Sequence, residues 1–201
     1  MKKLAILVSG RGSNMTAIIN ACERSEIEAK VEVVLSNNAN AKALFEAKQR
    51  KISTIHLSSD THNDPKLLDS VMRDTLLQHK VDFVLLAGFM SKIGPKVLSE
   101  FKDKILNVHP SLLPKYGGKG FYGMHIHRAV IEAGEKESGV TIHLVSSDYD
   151  EGKILAQKSV IVDKNDTPES LARKVLNIEH VLYVETIQKM IEGRIALTTE
   201  N

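Results

Sequence analysis

Cysteine is nearly missing from this chain of 201 residues, and its scarcity excludes whole classes of protein. The single Cys22 cannot close an internal disulfide or supply a cysteine-rich zinc site. Its place in an amphipathic run points to a small buried hydrophobe without redox chemistry. Long apolar runs are lacking too. The run Leu4 to Val8 follows Lys2-Lys3 but stops at Ser9-Gly10-Arg11, too short for a signal h-region or a membrane span and followed by no cleavage pattern. A cytoplasmic protein with no membrane partner is expected. Charge of one sign is also scarce: the formal net charge is +2, and Lys and Arg alternate with Asp and Glu without forming a stripe, which argues against a nucleic-acid partner. Repeats, low-complexity tracts and Pro/Ser-rich linkers are absent, so one domain over 1–201 is expected.

What is present reads as an ordinary globular composition, 42% hydrophobic and 26% charged, in a chain long enough for its own core. Short apolar runs at Leu4–Val8, Val31–Leu35, Thr54–Leu57, Phe83–Ala87 and Ile105–Val108 alternate with helical patterns. Asp64-Pro65 reads as an N-cap followed by proline at the first helical position. This is the grammar of an α/β fold with a mostly parallel central sheet and helices on both faces. After Gly123 the pattern shifts to a helix through Ala129–Ala133 and strands at Val140–Val145 and Ile154–Val162, so a mixed C-terminal region is expected. Thr167-Pro168-Glu169 opens a long last helix with apolar positions Leu171, Val175, Ile178 and Leu182.

Four segments carry candidate chemistry. In Asn107-Val108-His109-Pro110 the amide and imidazole stand two residues apart on a strand and so share one face. Pro110 cannot extend the ladder, which puts both at a strand end, where α/β sheets bind ligands. A hydrogen-bonded structural pair reads the same way. Ser9-Gly10-Arg11-Gly12-Ser13-Asn14 joins the first strand to a helical pattern; its glycines and free N–H groups, with the Ser13 hydroxyl and Asn14 amide, suit an anion. Met15 stands where a dinucleotide fingerprint has glycine, and Gly-Lys-Ser/Thr is absent, so a monophosphate ester fits better than a nicotinamide cofactor or a nucleoside triphosphate. A tight turn capped by Ser13 or Asn14 is the structural alternative. In the acidic loop after Thr141-Ile142-His143, Asp150 is the candidate partner of His109, raising the imidazole's proton affinity and fixing its tautomer. The run Ala87 to Pro95 leaves Phe89, Met90 and Ile93 outside any clear core pattern, free to wall an apolar pocket for a flat heteroaromatic ligand or to serve as core.

These segments, with Leu86-Ala87-Gly88-Phe89-Met90, Asn107 to Pro114 and Glu179-His180, resemble the 10-formyltetrahydrofolate-dependent formyltransferases over nearly the whole chain. The first loop and Glu179-His180, with no extra C-terminal domain expected, favour the small-molecule branch of purine synthesis over the tRNA-directed branch. The resemblance implies a Rossmann-like fold in which residues 1–105 bind the phosphoribosyl group and residues 106–201 hold catalysis and the folate. It implies Asn107, His109 and Asp150 as the catalytic set. Gly12, Ser13, Asn14 and Glu179 would hold glycinamide ribonucleotide, and Met90, Ser91, Lys92, Ile93 and Asn107 would meet the folate. 10-Formyltetrahydrofolate enters as formyl donor, with no metal and no nucleic acid, in a monomer or homodimer.

Two segments depart from the family's usual pattern: the glycine-rich Tyr116 to Gly123 is longer, so a mobile loop is expected, and Asp60 to Pro65 lacks an arginine that some members use on the folate tail. Other chemistries are open on residues alone. His125 and His127 sit at helical i and i+2, on different faces, which is poor metal geometry. Ser111 beside His109 suggests a hydrolase, but the Gly-x-Ser-x-Gly elbow is absent. A phosphoribosyl- or nucleotide-binding module without catalysis, a folate-dependent deformylase and an amino-sugar formyltransferase with the same site are the remaining alternatives; the deformylases usually carry an extra N-terminal domain.

Overall fold

The computed structural model describes residues 1–197, so 198–201 of the expected domain lie outside the described residues. Strands β1 (Lys2–Val8), β2 (Ala29–Ser36), β3 (Ser53–His56), β4 (Phe83–Leu86), β5 (Ile105–His109), β6 (Glu137–Leu144) and β7 (Ile154–Ile161) form one sheet in the order β3-β2-β1-β4-β5-β6-β7. The pairings from β3 to β5 are parallel, and β6 and β7 join antiparallel, which gives the expected mixed C-terminal region.

Alternation along the strands decides where the helices go. Leu4, Ile6 and Val8 of β1 point into one apolar cluster together with residues of α1 (Ser13–Glu23), α2 (Lys42–Gln49), α5 (Met124–Glu132) and α6 (Pro168–Ile191). Ala5 and Leu7 point the other way, into a cluster with α3 (Pro65–Gln78) and α4 (Pro95–Glu100). Strands buried on both faces read as continuous apolar runs, which makes them legible in sequence. Leu57, Ala87 and Val145 fall just past the ends of their strands, yet each keeps one ladder bond, to the Ser36, Leu7 and Ile105 carbonyls respectively.

The helix starts follow local chemistry. The Asp64 carboxylate accepts from the Lys66 amide with Pro65 at the first position, and Thr167 forms a reciprocal cap with Ser170 before Pro168. α6 is tied across the sheet by Tyr183, fully buried, whose hydroxyl lies 3.1 Å from the carbonyl oxygens of both Leu86 and Leu106. Ile93 takes the core alternative that the sequence leaves open: it is buried in the cluster with α3 and α4, two residues before Pro95 starts α4. Cys22 is half-buried against the core of α1, and burial, with Glu23 nearby, pushes its thiol up to about 11.

Candidate active site

The chain runs outward from β1 through β2 to β3 and then crosses back from β3 to β4 on the other side of β1, so the strand order reverses there and the carboxyl ends of β1 and β4 open a crevice. Ser9 fastens its two lips. Its amide donates to the Gly88 carbonyl at 3.0 Å, its hydroxyl accepts from the Met90 amide at 2.7 Å, and the same hydroxyl donates to Asn37 Oδ1 at 2.6 Å. The resulting cleft, about 780 Å³, is lined by both loops, by the end of β5, by the acidic loop after β6 and by α6.

On the β1 side the turn is built by backbone. Gly12 is the residue before α1 and takes φ +81°, and a Cβ there would stand 2.6 Å from the Ala43 Cβ. No side chain caps α1, so the capped turn that the sequence allows is not formed and the first amides of the helix carry no such partner. Asn14 turns inward instead, and its Nδ2 donates to Glu179 Oε2 at 2.6 Å. Both are buried. Burial pushes the Glu179 carboxyl up, and the Asn14 bond only partly opposes this.

Along β5 the face that carries apolar Ile105 becomes polar at Asn107 and His109. The antiparallel register sets His143 directly opposite Asn107, so their side chains meet on one face. His143 Nδ1 is 2.8 Å from the Leu144 carbonyl, which can only accept, so Nδ1 carries the proton. In the neutral ring Nε2 then accepts from Asn107 Nδ2 at 3.1 Å, which aims the amide. The same logic holds at His109: Nε2 donates to the Tyr116 carbonyl at 2.7 Å, leaving Nδ1 3.5 Å from Asp150 Oδ1. Asp150 Oδ1 is also 3.5 Å from His143 Nε2, while its Oδ2 accepts from the Gly118 amide at 2.9 Å.

Asp150 itself adopts φ +59°, a left-handed conformation that Asp tolerates better than most residues. Two positions on, a Cβ at Gly152 would run into the Leu144 carbonyl, so only glycine lets the loop return to the sheet there. Burial pushes the Asp150 carboxyl up, but His143, His109 and the Gly118 amide outweigh it and hold it below its ordinary value. His109 differs from the sequence expectation. Burial pushes the imidazole down by more than Asp150 and the Tyr116 carbonyl raise it, with His143 adding to the fall, so the resting ring is biased toward neutral.

Asn107, His109 and Asp150 are thus together, and Gly12, Ser13, Asn14 and Glu179 line the same cleft, as do Met90, Ser91, Lys92 and Ile93. Met90 is exposed at the mouth, and Lys92 lies 5.5 Å over the Tyr149 ring. In sequence His143 is legible only within its motif, because its partnership with Asn107 depends on a register that the sequence does not state. His127 reads there only as a poor metal ligand. It is buried against the cleft with Nδ1 lacking a partner among the described residues, and burial lowers its pKa, whereas His125 packs edge-on against Tyr122. The two histidines face apart, as their spacing requires. Asn14 Oδ1 is likewise buried without a partner among the described residues.

An α/β sheet that brings an amide, an imidazole and a carboxylate together at the ends of β5 and β6, in a cleft shared with the β1 and β4 loops, has the donor and acceptor groups that group transfer through an oxyanion uses. Residues 2–187 match the formyl transferase family. The chain belongs to that family. It is 38% identical over 198 residues to phosphoribosylglycinamide formyltransferase of Haemophilus influenzae, covering 98% of this chain and 91% of that protein. It is 45% identical over 195 residues to the chloroplastic enzyme of that name from Vigna unguiculata, covering 96% of this chain but 62% of that protein's length. The crystal structure of glycinamide ribonucleotide transformylase 1 from Symbiobacterium toebii superposes with a TM-score of 0.90 at 36% identity, covering 96% of this chain and 89% of that one.

Proposed function

We propose that this chain is a phosphoribosylglycinamide formyltransferase, moving the formyl group of 10-formyltetrahydrofolate to the amine of 5'-phosphoribosylglycinamide in purine biosynthesis. The observation that carries the reading is the convergence of Asn107, His109 and Asp150 in a cleft that also holds uncapped helix amides at Gly12–Asn14. Those amides and the Ser13 hydroxyl take the phosphate. Glu179, held by Asn14, accepts from the ribose hydroxyls. The Met90–Ile93 wall and Asn107 take the folate. On this reading the phosphoribosyl end belongs mainly to 1–105 and the chemistry to 106–201, with Glu179 and Met90–Ile93 crossing that division.

Transfer begins when the acceptor amine attacks the formyl carbon, forming a tetrahedral carbon with negative charge on the former carbonyl oxygen and positive charge on the attacking nitrogen. The Asn107 amide, aimed by His143, donates to the oxyanion, and so does a proton on His109 Nδ1. Burial disfavours the imidazolium at rest, and the developing negative charge, together with Asp150 beside Nδ1, favours the cation where it is needed. The amine then loses a proton through a water organised by Asp150, the folate nitrogen gains one, and the carbon–nitrogen bond to the folate breaks as the formyl carbonyl reforms. A cytoplasmic enzyme, monomeric or homodimeric, is the setting this reading takes.

Absorbance-monitored conversion of 10-formyltetrahydrofolate to tetrahydrofolate, with and without the ribonucleotide, tests the proposal in wild type beside His109→Ala. Acceptor-dependent turnover that falls by roughly 10²-fold or more in the variant is expected. Turnover independent of the acceptor makes the chain a deformylase, and none at all leaves a binding module or another acceptor.

A further inference from the structure

The bond at His109 Nε2 depends on a residue outside the catalytic set. Tyr116, which supplies the carbonyl, has φ +56°, a conformation disfavoured for any residue with a Cβ. Three contacts hold it there. Its half-buried ring packs against the core, meets Phe121 edge-on with centroids 5.8 Å apart, and its phenol donates to Glu135 Oε1 at 3.0 Å. Glu135 also takes the Lys115 ammonium at 2.9 Å, so two successive loop residues are tied to one carboxylate just past the end of α5. The backbone they anchor touches both members of the acid–base pair: the Tyr116 carbonyl on His109 and the Gly118 amide on Asp150.

We infer that Glu135 is a positioning residue for the reaction: by holding the Tyr116 phenol it keeps the Tyr116 carbonyl on His109 Nε2, and so keeps Nδ1 as the nitrogen that faces Asp150. A neutral imidazole carries one proton on either nitrogen, and the partner of one nitrogen decides the state of the other. Released from the carbonyl, His109 places its proton on Nδ1 beside Asp150 in a second tautomer, and Nδ1 no longer meets the reacting atoms in a single state. The meaning of Nδ1 for catalysis rests on the formyl-transfer reading; the tautomer itself does not.

Tyr116→Phe removes the phenol oxygen and keeps the ring on Phe121, Glu135→Ala removes the acceptor, and Glu135→Gln keeps an acceptor oxygen while losing the charge. Nitrogen-15 NMR of the histidine rings reads the His109 tautomer directly, and steady-state kinetics read kcat and KM. In wild type, a single Nε2–H form is expected. In Tyr116→Phe and Glu135→Ala a second His109 form is expected, with kcat down about tenfold and both KM values within about twofold, while Glu135→Gln stays near wild type on both readouts. An unchanged His109 spectrum in the first two variants overturns the inference, as does a loss in Glu135→Gln equal to that in Glu135→Ala. Absence of formyl transfer in wild type removes the reaction assignment but leaves the tautomer result standing on its own.

Discussion

At the Gly12 end of the cleft the chain offers mostly backbone groups, whereas at the His109 end it offers side chains held in place by other side chains. The first end is contiguous: residues 9–14 leave β1, turn through one left-handed glycine and enter α1 within six positions. The second end draws on β5, the loop 116–118, β6 and the loop after it, and two of its residues, Tyr116 and Asp150, adopt positive φ without being glycine. A backbone-built end is insensitive to most side-chain changes but not to one that moves the backbone. A side-chain-built end is sensitive to isosteric changes that leave the fold alone.

The largest expected effect tests the second half of that contrast. Asp150→Asn keeps an oxygen for the Gly118 amide but removes the charge that favours a protonated His109. We expect kcat to fall roughly 10²-fold or more, with both KM values little changed, because the charge matters most where the oxyanion develops. Steady-state kinetics check it. A raised KM at constant kcat would move Asp150 to substrate binding and erase the distinction between the two ends. The next effect tests the first half. In Gly12→Ala the new Cβ meets Ala43, and α2 must shift from a position where the Ala43 amide donates to the Gly10 carbonyl. The KM for the phosphorylated acceptor is expected to rise about tenfold with kcat held, since an anion site of this kind contributes binding common to ground and transition states. Loss of kcat instead would mean that the two ends move together.

The same contrast explains what is legible in the sequence. The central strands are readable because buried strands are written as short apolar runs, and their ends are displaced by a residue where a last ladder bond persists, as at Ala87 and Val145. Strand period alone places Asn107 and His109 on one face. Ser9 to Asn14 is recognisable because its geometry is encoded within a few neighbouring positions. The partnership of His143 with Asn107 is not, because antiparallel register links residues 36 apart. The net direction at His109 escapes the sequence for a related reason. A carboxylate partner is visible there, but the burial that outweighs it belongs to the whole fold. Ile93 reads as either core or pocket wall, because the loop after β4 has no periodic pattern that would assign it.

Glu179 joins the two ends, and its substitution has the smallest expected effect. Its carboxylate lies on α6, is buried, and has Asn14 as its hydrogen-bond donor. Burial raises its pKa above the ordinary 4.5, so the folded state disfavours the charged form that the unfolded chain accepts freely. The sign follows directly. Below the unfolded value the group is protonated in both states and costs nothing; stability falls as pH rises from there, and the loss is complete once pH has passed the folded value and the charge is forced into the interior. Glu179→Gln keeps an oxygen for Asn14 without that charge. We expect a gain of about 1 kcal/mol near neutral pH, seen as a melting midpoint higher by about 2–4 °C, with the gain vanishing as the pH is lowered below 4.5. The KM for the phosphorylated acceptor should rise about threefold, because an amide oxygen accepts from a hydroxyl less strongly than a carboxylate does. A melting midpoint that falls at neutral pH would show that the Asn14–Glu179 bond outweighs desolvation. The charge joining the ends would then support the fold, with no stability given up for binding.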